Sequence, residues 1–366
     1  CLTNGGISTS LAKGNFLVGN DAGVAQATST IFISSTGSIG IGTAAPASRL
    51  DITNSATSSA IITLRDPLGN VSVELRAGTS TLLNTFVGRF AGESNTTGSL
   101  NTAYGYNSLR YATSSSTNTA FGSQALMSSI VSVNNSGSGN SAFGYNALTA
   151  NTSGEFNVAI GRSSLAGNLS GSNNSANGYV ALFSNSTGSF NTANGYAALF
   201  TNLSGSNNTA NGVSALINNI TGSVNTANGV NALFSNSTGS RNTATGALTL
   251  FSNTTGNFNT AVGYQAGYSV STGYDNIFLG HDENIGGDAI TTGFNNIGMG
   301  YNIKFPATST SNMLNIGNFL FANLPATTTS TVIGNTPLTG QLGVGTSSPY
   351  AKLTIWGGDT LGTTRA

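Results

Sequence analysis

The chain has 366 residues, and its eleven basic and eleven acidic side chains cancel; charged residues make up only 6% of it. A typical globular protein has about 25%, and with no basic stripe to neutralise phosphates a nucleic-acid partner is not expected. No run of about 20 apolar residues is present, so no membrane span is expected either.

Residues 1–81 read as an N-terminal β module. Cys1 is the only cysteine, so it has no partner for an internal disulfide. It fits either a fragment boundary or a processed, lipid-anchored precursor, and any signal peptide is expected to have been removed. Residues 1–30 are rich in Gly and Ala and show no clear period. Strand-like stretches follow at 30–34, 38–41, 49–52, 60–64 and 71–75, with the turn residues Asp66, Pro67, Leu68, Gly69 and Asn70 separating the last two.

From Leu82 to about Gly334 a 17-residue repeat takes over, centred on Asn-Thr-Ala-x-Gly. Its fifth-position glycines run from Gly88 to Gly334 and include Gly178, Gly195, Gly212, Gly229 and Gly246. Two steps are longer, Gly122 to Gly144 by five residues and Gly280 to Gly300 by three. A fixed short period means a repeat architecture, and Gly, Asn, Thr and Ser at fixed places would damage a helix. The reading is an all-β parallel β-solenoid of about fifteen coils, each a strand of about five residues, a turn, a second strand and a second turn. The second turn is Asn-x-Thr/Ser-Gly, as at 185–188 and 202–205, with glycine expected to supply positive φ. Ala193, Ala210 and Ala227 are expected to share an inner face with the fifth-position glycines. Stacked Asn191, Asn208 and Asn225 are expected to form amide ladders between coils.

Leu199, Leu216, Leu233 and Leu250 form one apolar row, and Phe183, Phe200, Phe234 and Phe251 with Ile217 form another beside it. Adjacent strand residues cannot both face one interior. One row is therefore expected to face outward and to need cover, and a homotrimer with the Leu or the Phe row at its axis supplies that cover.

Residues 335–366 form a C-terminal module. Residues 340–355 align without a gap on 37–52: Gly40, Gly42, Thr43, Pro46, Leu50 and Ile52 recur as Gly343, Gly345, Thr346, Pro349, Leu353 and Ile355. The two copies bracket the rod. Ile39 and Ile41, with Leu342 and Val344, offer strand edges for a head-to-tail joint, beside which stands Trp356, the only tryptophan. The alternative is that each copy caps an end of the solenoid.

The Asn-Thr-Ala-x-Gly strand followed by an Ala-Leu pair resembles the head repeat of trimeric autotransporter adhesins of the YadA type over about residues 84–334. That resemblance implies a left-handed, trimeric β-roll displayed at a bacterial surface. The flanking Gly-Ile-Gly-Thr module resembles segments of phage tail fibres and bacterial surface fibres.

No catalytic constellation stands out, and no cofactor or metal is expected. His281, Asp282, Glu283 and Asp288 lie together in the three-residue insertion, with Asp275 nearby; they read as a solvated loop, or as a small cation site. The Asn-x-Ser/Thr sequons at Asn151, Asn168, Asn185, Asn202, Asn219, Asn236 and Asn253 read as turn chemistry, or as a glycosylated edge. Thr192, Thr209 and Thr226 form one row, short of the two columns an ice-binding face needs. The expected function is a non-enzymatic extracellular fibre subunit or adhesin. The alternative is a phage tail fibre that binds a host glycan; a surface protein of a neighbouring cell is the other partner class.

Overall fold

A computed structural model of the protein describes residues 15–19, 25–34, 37–41, 43, 45–52, 62–65, 68, 71–77, 82–128, 136–281, 290–323, 341–346 and 353–355. All its elements are β-strands. Thr85–Val87 opens a ladder of short parallel strands that ends at Met313–Ile316. Thirteen parallel pairings join them, each a step to the next coil. At a strand spacing of about 4.8 Å this part of the rod is about 62 Å long. The count is lower than fifteen because the chain reverses after Ile316. Leu320–Asn323 pairs antiparallel with Met313–Ile316, and Gly334 lies outside the described residues.

Numbering each coil from its Asn, residues 191–207 show how the repeat folds. The strand is only Thr192–Asn194, and it is the one strand of the coil. The expected second strand is absent because left-handed residues follow the first at alternate positions: in the coil beginning at Asn208, Gly212 has φ +135°, Ser214 +56°, Leu216 +52° and Val224 +61°. Such φ values are uncommon outside glycine, and each non-Gly residue costs about 1–2 kcal/mol. The cost is carried because the backbone groups along these turns still find partners, mostly in the neighbouring coils. Thus Ala197 donates back to the Tyr179 carbonyl at 3.1 Å, and Leu199 donates forward to Ala215 at 3.0 Å.

The interior is thin and filled by the coil itself. Ala193, Ala210 and Ala227 are fully buried from the strand, and Leu199, Leu216 and Leu233 from the turn. Since the Leu row closes its own coil, it is not available to a shared axis between copies. That corrects the Leu half of the trimer-axis expectation. Leu at position nine and Phe at position ten are turn residues, so strand alternation does not govern them. The Leu goes in, and Phe183, Phe200, Phe234 and Phe251 stay half-buried at the surface.

Fifth-position Gly195 is not on the inner face either; it stands at the bend after the strand, with φ +133°. The ladder is continuous across both insertions, whose added residues fall outside or beside the described ones. Thr119 pairs with Ser141 across the longer one, and Ile277 with Ile297 across the shorter.

Near the ends of the ladder the filling changes. Phe86 takes the strand position of Ala, and Gly92 takes the turn position of Leu in the same coil; a Cβ on Gly92 would lie 2.6 Å from the Phe86 ring. Towards the other end Phe278 replaces Ala, and Gly267 of the preceding coil replaces Leu, its Cβ site 2.9 Å from Phe278. Both glycines keep the left-handed φ of the Leu they replace, +57° and +63°. Volume is conserved while its source moves from turn to strand.

Before the rod, Ile62–Arg65 and Val71–Ala77 form an antiparallel hairpin that joins Thr85–Val87. The region without sequence period contains two strands, Asn15–Gly19 and Ala25–Ile33, which pair antiparallel.

Candidate functional site

Two buried amide ladders run along the rod. In the first, Asn191 donates its backbone N–H and its side-chain Nδ2 to Asn174 Oδ1 at 3.0 and 3.1 Å, and Nδ2 also reaches the Gly205 carbonyl at 2.9 Å. Asn208 repeats these bonds with Asn191 and Gly222. Asn225 donates its N–H to Asn208 Oδ1 at 3.0 Å and its Nδ2 to Gly239 at 2.8 Å. These amides are fully buried, and their bonding satisfies groups that would otherwise be costly to bury.

The second ladder uses the turn asparagines. Asn185, Asn202 and Asn219 each donate Nδ2 to Oδ1 of the preceding coil's Asn at 2.7 Å, and to the carbonyl of the Gly three residues on at 2.9 Å. These are sequon residues. Asn151, Asn168, Asn185, Asn202, Asn219, Asn236 and Asn253 are fully buried, so in the folded rod none presents its amide to a glycan. The sequon signal is therefore structural. The same 17-residue recurrence that announced the first ladder was present in this column as well.

The glycines of this turn do not supply positive φ. Gly188, Gly205 and Gly222 have no left-handed φ; a Cβ there would instead strike the backbone of the next coil and the ladder amides. The left-handed residue comes two places later, at Phe190, Asn207 and Val224.

Outside, the columns change character along the rod. Position four is apolar in the early coils, with Tyr104, Phe121, Phe143 and Ile160 all exposed. It becomes Asn177, Asn194, Asn211 and Asn228 in the middle, then apolar again at Val262, Leu279 and Met299. Tyr104 and Phe121 stack at 5.0 Å, and at position ten Phe183 stacks on Phe200 at 5.1 Å and Phe234 on Phe251 at 4.9 Å. At position seventeen Phe156 and Phe190 are each 60% exposed, with Asn173 between them. Charged groups on this surface lean on rings: Arg162 reaches Tyr145 and Tyr179, and Arg241 covers Phe258 at 5.1 Å.

His281 lies edge-on between Tyr264 and Tyr301, with centroids 5.1 and 5.5 Å away. Asp282, Glu283 and Asp288 lie outside the described residues, and Asp275 stands at a left-handed turn. Among the described residues no three His, Cys, Asp or Glu side chains gather as a metal site. A small cavity, about 30 Å³, lies beside His281 between Phe278, Ile303 and Phe305.

The described strands of the two matched end modules pair in the same way. Ile39–Ile41 pairs parallel with Leu50–Ile52, and Leu342–Val344 pairs with Leu353–Ile355 in the same register. Each first strand also receives an antiparallel strand that sets a phenylalanine opposite its glycine: Phe32 faces Gly40, and Phe321 faces Gly343. A Cβ on either glycine would collide with the carbonyl of the threonine three residues on, Thr43 or Thr346. Exposure repeats as well, at 39% and 36% for Ile39 and Leu342 and at 56% and 57% for Leu50 and Leu353. Ile41 and Val344 are half-buried, and Trp356 lies outside the described residues.

Comparison with protein families, with curated proteins and with solved structures gives no match for this chain.

Proposed function

We propose that the chain is a non-enzymatic structural subunit of an extracellular fibre or adhesin, related to the YadA-type heads and assembled as a homotrimer at a bacterial surface. The observation that carries this reading is a rod whose coils fill their own interiors while columns of apolar side chains remain outside. Leu199, Leu216 and Leu233 are fully buried within one chain, yet Tyr104, Phe121, Phe156 and Phe190 are exposed. An exposed apolar surface of that extent marks an interaction face. In the proposed trimer the half-buried Phe183–Phe200 and Phe234–Phe251 stacks line the contact, and the left-handed winding of the family is carried over with the resemblance. The duplicated end modules join subunits head to tail, since a contact between unlike surfaces propagates rather than closes.

The second reading is a phage tail fibre whose rod holds a host glycan. It draws on the exposed Phe156 and Phe190 with Asn173 between them, an arrangement of ring faces and amides suited to sugars. Light scattering and negative-stain microscopy of the full chain test the first reading. The expected result is a trimeric particle, with rods joined end to end at high concentration. A stable monomer at micromolar concentration overturns the trimer, and rods that never join overturn the joint.

A further inference from the structure

Four Asn-Gly steps fall on one outer column of the rod: Asn177–Gly178, Asn194–Gly195, Asn211–Gly212 and Asn228–Gly229. Asn-Gly is the step most prone to spontaneous deamidation, because glycine leaves its own N–H unshielded. The Gly nitrogen loses its proton to water or hydroxide and attacks Asn Cγ. The new N–Cγ bond forms as the Cγ–Nδ2 bond breaks, ammonia leaves, and a succinimide remains. Water then opens the ring at either carbonyl and gives aspartate or isoaspartate. The reaction needs a free Gly N–H and an amide able to swing over it.

The rod withholds the first requirement at all four steps. Gly178 donates its N–H to Ile160 at 2.8 Å, Gly195 to Asn177 at 2.9 Å, Gly212 to Asn194 at 2.8 Å and Gly229 to Asn211 at 2.8 Å. The second requirement is withheld unequally. Asn194 Nδ2 donates to Asn211 Oδ1 at 2.8 Å, and Asn211 Nδ2 donates to Asn228 Oδ1 at 2.8 Å. Three amides are thereby tied into an outer ladder, and Asn211 is held at both ends. Asn177 stands next in the column, exposed, and its amide takes no part in that ladder among the described hydrogen bonds. Its neighbour on the other side is Ile160, an aliphatic side chain that offers no amide partner.

We propose that Asn177 is the first site of spontaneous deamidation in the folded rod, and that the outer amide ladder shields Asn194, Asn211 and Asn228. The chemistry puts a carboxylate on a neutral column next to the ladder's first member. A second conversion at Asn194 would set like charges on adjacent strands, where they repel.

The test is peptide mapping by mass spectrometry of the full chain, kept in mildly alkaline buffer folded or in urea until the first site converts. The expected result is conversion of all four steps at similar rates in urea, slower conversion at each in the folded chain, and Asn177 first. Asn211→Thr, which copies the residue at Thr245 two coils on, removes the acceptor of Asn194. It should raise the Asn194 rate to that of Asn177 and leave Asn177 unchanged. Equal rates in folded and unfolded chain, or first conversion at any of the other three, overturn the proposal.

Discussion

Replacing Gly212 by alanine asks whether the repeat depends on the fifth glycine for its conformation and its clearance, rather than for a shared inner face. Gly212 has φ +135°, well beyond the left-handed well that other residues visit. Holding alanine there costs about 1–3 kcal/mol. The added Cβ also meets the next coil's backbone: it would lie 2.6 Å from the Gly229 oxygen, 2.7 Å from its carbonyl carbon and 3.2 Å from the Val230 nitrogen. Those atoms cannot rotate away as a side chain can, so the two coils must part. Overpacking of this kind costs about 1–3 kcal/mol more, for a total of about 2–6 kcal/mol.

In a stacked array stability is a sum over coils and their contacts, so the loss should concentrate at the 212–229 step. The assay is a urea titration with amide hydrogen exchange. The expected result is a lower midpoint and faster exchange at Gly229, whose N–H bonds Asn211 across this step. The exposed Thr187→Ala serves as control, within about 0.5 kcal/mol of the parent. Gly205→Ala separates the two causes, because that site has the backbone clash without the positive φ. A Gly212→Ala midpoint equal to that of Thr187→Ala, with unchanged exchange at Gly229, refutes the reasoning.

The exchanged filling at the start of the ladder can be reversed. Phe86→Ala should cost about 3–5 kcal/mol, and Gly92→Leu should destabilise by collision with the ring. The double variant, which restores the mid-rod pair, should recover most of the loss; a double-mutant cycle by thermal unfolding measures the coupling, and simple additivity refutes it. Val224 holds a β-branched side chain at φ +61°, where the equivalent positions carry Asn173 and Asn207. Val224→Asn should therefore stabilise by about 1 kcal/mol, and a lowered urea midpoint would show that Val224 has a packing role outweighing its strain.

The repeat, its period, the parallel stacking and the Asn191–Asn208–Asn225 ladder were legible in the sequence, because each follows from identity at a fixed spacing. Stacked coils set like residues side by side whatever the detailed path of the chain. The kinship of the two end modules was legible for the same reason, and the structure extends it to Phe32 and Phe321, which fall outside the matched segment. What spacing does not contain is the direction in which each side chain points. Leu199 and Phe200 are neighbours in every description of the sequence. Only the left-handed turn at φ +53° sends the first inward and leaves the second at the surface. The sequons were equally ambiguous: Asn185 and Asn202 carry a surface motif and lie at zero exposure, because coil-to-coil bonding satisfies their amides. Periodicity determines which residues stack. Where they face is decided by backbone dihedrals that depend on hydrogen bonds to the coils on either side, and those bonds exist only once the coils are wound.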